Sequence, residues 1–326
     1  MEVARCLPPS TLVRVDAGEV MRTAREAAGI SLSAMAKATG YSKSYLGLVE
    51  TGRKPVQAWH VEAYERVLGV NIDRLTQTAQ APRTVDAQAL EDLSSILSAT
   101  RRLEDLTGAA CVLPTVRGLT VLSHVLAKAA RGATAQPALA VASEVSQYRG
   151  WLEHTTGSPR GARTSLDQAI KLGLDSAVAD RLSQGLSFRA YVDLAVGPSG
   201  IAAAADFTDA SLRVRGVHPA LHVYNLFQLA RVRARAGELR LAQRALADAD
   251  RAAAALTDPP PDAGYWYSAG FWGLIRGRIL HVMGELDLAV AEMRGGIAAM
   301  PPDQRGAQWL ARWVRAVDGD GVPPGE

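Results

Sequence analysis

The sequence predicts an all-α protein in which a small bundle of short helices precedes a longer series of repeated helical hairpins. Three observations lead to this prediction. Near the N terminus, two short helical segments with serine caps are separated by a glycine. Further on, apolar residues recur at helical spacing almost to the C terminus, and no segment alternates as a strand does. In that second region, a glycine with the same small neighbours recurs about every 40 residues.

Composition limits the kinds of protein that this chain can be. Its 326 residues suffice for two or three domains, and a hydrophobic content of 48% is ample for their cores. The net charge of +3 is small, so binding of nucleic acid would require a local basic cluster. Cys6 and Cys111 lie too far apart to suggest a disulfide framework or a zinc site. No apolar run approaches the ~20 residues that span a bilayer, so we expect a cytoplasmic protein with no membrane partner.

The N-terminal bundle is predicted from its caps and turns. Ser31 and Ser42 each stand before an apolar periodic segment, where a hydroxyl can accept from the free N–H groups of a first helical turn. Gly29 and Gly40 stand where helices one and two would end, and glycine is suited to the left-handed conformation of such an end. The residues at helical spacing that we expect to face the core are Met21, Met35, Ala36, Leu46, Val49, Trp59, Tyr64, Val67 and Leu68.

Residues 17 to 75 resemble the XRE, or lambda-repressor-like, helix-turn-helix family. The residues that carry the resemblance are Met21, Arg22 and Arg25, the Met35-Ala36 pair, Gly40, Ser42, Leu46 and the Glu50-x-Gly52-Arg53 ending. In that family, an arginine of the first helix pairs with the glutamate that ends the third. The resemblance therefore implies that Arg25 and Glu50 form a structural ion pair and do not contact bases.

The same resemblance implies a double-stranded DNA partner and a recognition helix that begins at Ser42. The residues it would present to the major groove are Ser42, Lys43, Ser44, Tyr45, Gly47 and Leu48. Arg53 and Lys54 follow this helix and would meet phosphates. Leu32 and Leu48 replace residues that are often polar in the family, and Leu48 either touches a thymine methyl group or is buried. The alternative for the whole segment is a helical hairpin that serves packing alone.

The rest of the chain divides by composition. We expect a flexible tail over 1–14, the helix-turn-helix domain over 15–75, a polar and proline-interrupted linker over 76–86, a helical repeat domain over 87–317 and a flexible tail over 318–326. Within the repeat domain, segments 87–106 and 115–132 should form a poorly matching helix pair at the open end of the array. A closing helix is expected over 308–317.

The repeat is defined by four glycines and by small residues at fixed distances from them. The glycines are Gly157, Gly197, Gly237 and Gly284. Seven residues before them stand Gly150, Ala190, Ala230 and Gly277. Five residues after them stand Ala162, Ala202, Ala242 and Ala289, and twelve after them stand Ala169, Asp209, Ala249 and Gly296. Small residues at these places let two antiparallel helices approach closely. The pattern resembles a degenerate tetratricopeptide repeat, whose usual period is about 34. The alternative is an alanine-rich bundle without a repeat.

In tetratricopeptide arrays, the first helix of each pair lines a concave surface. Residues at equal distances before the repeat glycines are therefore candidate effector-binding residues. They are Trp151, Tyr191, Arg231 and Arg278 six residues before each glycine, His154 and His281 three residues before, and Asn225. Aromatic rings followed by arginines suit a ligand with apolar and anionic parts, such as a short peptide or a small molecule. The alternatives are that the aromatic residues are core and the arginines are solvated. The aromatic cluster at 265–272 is by default core packing.

The sequence indicates no enzyme. We find no catalytic motif, no phosphate-binding glycine loop and no cofactor signature. His218 and His222 lack the glutamate of a metalloprotease motif, so we expect no metal site.

Together, these features predict a bacterial transcriptional regulator that binds DNA as a homodimer. Its domain order resembles XRE-type regulators with C-terminal tetratricopeptide arrays, including peptide-sensing regulators of Gram-positive bacteria. A peptide, small-molecule or protein effector on the concave surface would change operator affinity. The alternatives are a protein-interaction scaffold, for which Leu48 and the modest charge speak, or an antitoxin-like repressor that binds a partner protein.

Overall fold

The computed structural model describes residues 17–72 and 84–319. This part of the chain contains fifteen α-helices and three short 3-10 turns, and no strand occurs in it. The predicted all-α class is therefore confirmed for the described residues. The predicted tail over 1–14, most of the predicted linker and the last seven residues lie outside them.

Four helices form the N-terminal bundle, which we call the head. They are α1 (Ala17–Ala27), α2 (Leu32–Thr39), α3 (Lys43–Glu50) and α4 (Ala58–Leu68). Ser31 and Ser42 cap α2 and α3 as predicted, because their hydroxyl oxygens accept from the backbone N–H groups of Ala34 (3.1 Å) and Tyr45 (3.2 Å). Gly40 ends α2 in the left-handed conformation (φ 77°).

The head core contains most of the residues expected there, with one exception. Met21, Met35, Leu46, Val49 and Tyr64 are all fully buried. Trp59 was predicted to be buried, and this prediction was wrong, since 56% of Trp59 is exposed. At 100° per residue, Trp59 lies about 140° around α4 from Tyr64, so the helix turns it to solvent. His60, which is fully buried, occupies the core-facing position of this first turn instead.

A buried ion pair joins the first and third helices of the head. Arg25 Nε and Nη2 donate to Glu50 Oε1 and Oε2 at 2.6 and 2.7 Å, and Arg25 Nη1 donates to the carbonyl oxygen of Ile30 at 2.9 Å. Tyr64 Oη donates to Glu50 Oε1 at 2.8 Å. Burial alone would lower the pKa of Arg25, but the hydrogen bond and charge of Glu50 outweigh it and raise this pKa. The Arg25 guanidinium therefore stays charged, and its hydrogen bonds to Glu50 fix α1 against α3.

The remaining helices form five antiparallel hairpins and a last single helix. The hairpins are α5 (Ala87–Thr107) with α6 (Ala109–Ala129), α7 (Ala135–Thr155) with α8 (Pro159–Ser176), α9 (Ala179–Leu194) with α10 (Ile201–Arg213), α11 (Pro219–Arg235) with α12 (Leu239–Ala254), and α13 (Ala269–Val282) with α14 (Leu286–Ala298). The last helix is α15 (Gln308–Asp318).

The predicted repeat glycines lie at the turns of the last four hairpins. Gly157, Gly197, Gly237 and Gly284 have φ values of 82°, 94°, 76° and 88°. This left-handed backbone is disfavoured for residues with a Cβ, which explains why glycine recurs at the turns. Close helix approach, the second part of the prediction, is clearest at Gly277. A Cβ there would lie 2.5 Å from Met293 Cγ and 2.8 Å from the Ala289 carbonyl oxygen.

One hairpin departs from the predicted phase. Ala202 and Asp209 were aligned with buried positions of the other repeats, but Ala202 is exposed and Asp209 only half-buried. Ala204 and Ser211 are buried instead. A 3-10 turn at Pro198–Gly200 delays the start of α10 by two residues relative to the other second helices, and this delay accounts for the shift.

The hairpins close into a ring. The first helices α5, α7, α9, α11 and α13 contact one another in sequence and form the inner layer, and α15 returns to contact α5. Trp309 Nε1 of α15 and Tyr265 Oη both donate to the carboxylate of Asp105 on α5, at 3.0 and 2.5 Å. Arg102 pairs with Asp303 at 3.1 Å. The sequence predicted an open end at the first hairpin, and this was wrong because α15 covers it.

The head packs on the first hairpin of the ring. The hydroxyl of Thr115 on α6 donates to Glu26 on α1 at 3.1 Å, and a Cβ at Gly118 would lie 3.3 Å from Thr23 Oγ1. Val85, at the end of the predicted linker, is buried in a core that the head shares with α5, α6 and α7. The head and the ring are therefore in direct contact.

Helix α6 is long and apolar enough to cross a membrane by the criteria of length and composition, contrary to the expectation from the sequence. Half of its most apolar stretch is buried, and α6 packs against α1, α5 and α7. This environment fits a core helix of the ring.

The close packing of the last hairpin can be tested with two glycine substitutions. Gly277→Ala places a Cβ against Met293 and the backbone of α14, so we expect the free energy of unfolding to fall by about 1–3 kcal/mol. Gly295→Ala is the matched control. Nothing lies within 4 Å of a Cβ there, and alanine should stabilise α14 by about 0.5–1 kcal/mol. Denaturant titration measures both, and equal effects of the same sign would contradict the packing described.

The contribution of the buried ion pair can be tested at Glu50. Glu50→Gln leaves the buried Arg25 guanidinium with only Glu26, at 3.3 Å, as a counter-charge, and we expect a loss of about 3 kcal/mol in the free energy of unfolding. Arg22→Gln removes an exposed pair with Glu26 on the same helix, and it should cost less than about 1 kcal/mol. Similar losses in the two variants would show that the buried pair does not hold the head together.

Candidate DNA-binding surface and central cavity

The start of α3 presents small polar and basic side chains to solvent. Ser42, Lys43 and Ser44 are exposed, whereas Gly47 and Leu48 are half-buried. A Cβ at Gly47 would lie 3.5 Å from Leu32 Cδ2, which is an ordinary contact, so Gly47 and Leu32 pack together. The first turn of α3 is therefore the accessible part of this helix.

Tyr45 is held in place by the buried imidazole of His60. The backbone N–H of Gln57 donates to His60 Nδ1 (3.0 Å), so in the neutral ring Nε2 carries the proton and donates to Tyr45 Oη at 3.0 Å. Burial lowers the pKa of His60, which favours this neutral form. The phenol of Tyr45 keeps its own O–H for another acceptor.

Basic side chains lie immediately after α3. Arg53 and Lys54 are exposed, and Lys54 Nζ lies 4.9 Å from the centre of the Tyr45 ring. Trp59 is an exposed aromatic residue beside this surface, at 5.7 Å between its ring and that of His60. The sequence prediction missed Trp59 because its spacing to Tyr64 was taken as a core pattern.

The centre of the ring contains a cavity of about 290 Å³. Its walls come from α5, α7, α9, α11, α13 and α15, and from the segment before α13. Ten aromatic side chains line it: Tyr148, Trp151, Phe188, Tyr191, Tyr224, Tyr265, Trp266, Phe271, Trp309 and Trp313. Part of the aromatic cluster at 265–272 thus forms the cavity wall, and the rest, such as Trp272, is core.

The structure brings together four of the seven predicted effector residues. Trp151, His154, Tyr191 and Arg278 all line the cavity.

The other three predicted effector residues lie elsewhere. Arg231 is buried with its guanidinium 4.9 Å from the Tyr191 ring centre, behind the cavity wall. Asn225 is buried and donates to Ser183 Oγ at 2.8 Å, so its amide joins α11 to α9. His281 is half-buried and does not line the cavity. From α11 it is Tyr224 that lines the cavity, and the predicted Arg231 does not.

Several cavity residues were missed because they lie outside the glycine alignment. Arg101, Glu104 and Asp105 come from α5, and Trp309, Arg312 and Trp313 come from α15. Trp309 and Trp313 are four residues apart and therefore share one helix face with Arg312 beside them. This spacing could have identified α15 as a lining helix.

Two acidic residues lie on one side of the cavity, and each accepts hydrogen bonds from two aromatic side chains of the cavity wall. Glu104 accepts from Trp151 Nε1 (3.2 Å) and from Tyr148 Oη (2.7 Å). Burial raises the pKa of Glu104 to about 7. Asp105 accepts from Tyr265 and Trp309, and burial raises its pKa as well.

Arginines give the cavity its positive charge. Arg278 Nη1 donates to Tyr191 Oη at 3.2 Å, and its guanidinium lies 4.8 Å from the Trp313 ring centre. Arg312 is exposed at the rim. The pKa of His154 is lowered by burial and further by Arg231, Arg278 and Arg312.

Arg101 is the most deeply buried charged residue of the cavity lining, with 1% of its surface exposed. Its Nη1 donates to Glu144 Oε1 at 2.6 Å. Its Nε and Nη2 have no hydrogen-bond partner among the residues that the structure describes. Buried donors of this kind are rare, so the arrangement around Arg101 requires an explanation.

No group of three histidine, cysteine, aspartate or glutamate side chains suited to a metal ion occurs within 17–72 and 84–319.

Comparison with known proteins identifies the head. Residues 16–79 match the family model of a helix-turn-helix domain. No curated protein matches the chain. The N-terminal fifth of the chain therefore contains a helix-turn-helix domain.

Proposed function

We propose that this protein is a DNA-binding transcriptional regulator whose ring of helical hairpins senses an effector. The observation that carries the proposal is the helix-turn-helix match at residues 16–79, together with the exposed polar and basic start of α3. Within the proposal, the head is of XRE type, the ring is a degenerate tetratricopeptide array, and the protein acts in a bacterial cytoplasm.

In this proposal α3 enters the major groove with its first turn. Lys43, Ser44 and Tyr45 contact base edges there, where a helix start meets donors and acceptors of the bases. Arg53 and Lys54 contact phosphates and supply the salt-dependent part of the affinity. The ion pair of Arg25 with Glu50 orients α3 without touching DNA.

A single head of this kind contacts few base pairs, so the proposal includes a homodimer on two half-sites about one helical turn apart. Analytical ultracentrifugation of the protein with a duplex that contains two half-sites should show two protein chains bound to each duplex. One chain per duplex at saturation would contradict the dimer.

The route from the cavity to DNA runs through α5 in this proposal. This helix supplies Arg101, Glu104 and Asp105 to the cavity, and it packs against α1 of the head. An effector that shifts α5 would therefore change the position of the head and its operator affinity. The small volume of the cavity favours a small effector over the partner protein of an antitoxin-like repressor.

Binding of DNA can be tested on two of the basic residues in and after α3. Lys43→Ala combined with Arg53→Ala should weaken binding to any duplex, and the slope of log affinity against log salt should fall by about one for each lost phosphate contact. The measurement is fluorescence anisotropy of a labelled duplex at several salt concentrations.

The control for this experiment is Lys171→Ala with Arg160→Ala, which removes the same exposed charges from α8 in the ring. It should leave the affinity and its salt slope unchanged. No binding of the parent protein to any duplex at low salt would contradict the regulator and leave the protein-interaction scaffold.

Coupling between ring and head can be tested at the closure of the ring. Tyr265→Phe removes the hydrogen bond to Asp105 that ties the segment before α13 to α5. We expect the DNA affinity to change by about fivefold or more, a typical coupling between two sites. Tyr267→Phe is the matched control, because the Tyr267 hydroxyl has no hydrogen-bond partner in the described part of the chain. Unchanged affinity in both variants would contradict the coupling.

A further inference from the structure

We infer that the central cavity binds a small organic anion with a flat aromatic body of about two rings, whose carboxylate is bound by Arg101. This inference rests on the proposed function only in calling the ligand an effector, since ligand binding can be measured without DNA.

The volume of the cavity limits the ligand to a small molecule. An apolar cavity of about 150 Å³ takes one benzene ring, so about 290 Å³ accommodates roughly two rings with a small substituent. Helix α15 lies across the ring and contacts α5, which closes the concave surface along which an extended peptide would otherwise lie. The closed ring therefore favours a compact ligand.

The walls are flat and fixed in position, which favours an aromatic ligand. The Trp151 ring meets the rings of Phe188 and Tyr191 edge to face, at 5.9 and 5.8 Å between centres. Trp151 and Tyr148 are both held by the Glu104 carboxylate. Because these rings are already ordered, a flat ligand can pack against them at a low cost in side-chain entropy.

The acidic residues of the cavity do not form a site for a cation. Each oxygen of Glu104 and of Asp105 accepts a hydrogen bond from a different wall residue. The raised pKa of Glu104, about 7, also leaves this carboxyl partly neutral at neutral pH. The oxygens of these carboxylates are therefore occupied by wall residues, and they can accept few further hydrogen bonds from an ammonium group.

The free edge of Arg101 forms the anion site. Its Nε and Nη2 are adjacent donors, and such a pair can bind a carboxylate bidentately. Both atoms lack a hydrogen-bond partner among the described residues, although only 1% of the Arg101 surface is exposed. Arg101 lines the cavity but its Nε and Nη2 are covered, so a carboxylate within the cavity reaches this edge once the guanidinium shifts toward it. Arg278 and Arg312 add positive charge, and the exposed Arg312 attracts an anion to the rim.

The inference can be tested with three probes that share one ring system. They are 2-naphthoate, 2-naphthamide and 2-naphthylmethylammonium, and binding to the full-length protein is measured by isothermal titration calorimetry. We expect 2-naphthoate to bind about tenfold more tightly than the amide, because a hydrogen-bonded charge is added, and the ammonium compound to bind most weakly. Benzoate, with one ring, should bind less tightly than 2-naphthoate.

Two variants locate the site of binding. Arg101→Lys keeps a charge beside Glu144 but removes the paired donors. The affinity for 2-naphthoate should therefore fall about tenfold, and the affinity for 2-naphthamide should not change. Because Arg101 is buried, the exposed Arg312→Gln serves as a second variant that does not endanger folding, and it should weaken 2-naphthoate alone by about threefold. Arg315→Gln, one turn along α15 and outside the cavity lining, should change nothing.

Three outcomes would overturn the inference. They are binding of the ammonium probe as tight as that of 2-naphthoate, no binding of any probe, and equal loss of the acid and the amide in both Arg101→Lys and Arg312→Gln. Selective binding of 2-naphthoate that leaves DNA affinity unchanged would support the anion site and overturn the effector role of the ring. Absence of DNA binding would overturn the regulator without affecting the calorimetric result.

Discussion

The carboxylate of Asp105 is the point on which the ring depends. It accepts hydrogen bonds from Tyr265 and from Trp309, two residues about 160 and 204 positions further along the chain. These bonds draw α15 and the segment before α13 onto α5, and they turn a row of hairpins into a closed ring with a cavity at its centre. The same helix α5 packs against α1 of the head. Ring closure, cavity and head are therefore connected through one helix.

The head depends on a second buried charge, which has a different role. Arg25 and Glu50 satisfy one another within the core and set the angle between α1 and α3. The head contacts the ring beside this pair, where Glu26 accepts both from Arg25 Nη2 at 3.3 Å and from the Thr115 hydroxyl at 3.1 Å. In the proposed coupling, a movement of α5 or α6 would reach α3 as a rigid rotation of the head, since the ion pair resists any change within it.

Much of this structure could be predicted from the sequence, because local patterns determine local structure. The caps at Ser31 and Ser42 and the turn glycines of the repeats depend on one or two residues each, and their positions were predicted correctly. What could not be predicted depends on contacts between distant segments. Trp59 was misplaced because a helical phase was inferred from too few residues, and the ring closure was missed because no spacing relates Asp105 to Trp309. Most of the cavity lining, including Arg101 of α5 and Trp313 of α15, was missed for the same reason.

Hydrogen–deuterium exchange of the full-length protein can show whether head and ring form one coupled unit. Because coupling between two sites is reciprocal, a duplex bound to the head must change the ring as well. We expect altered exchange in α5 and α15 on addition of saturating duplex at low salt, besides protection in α3. Changes confined to α1–α4, with identical exchange throughout α5 and α15, would contradict this coupling.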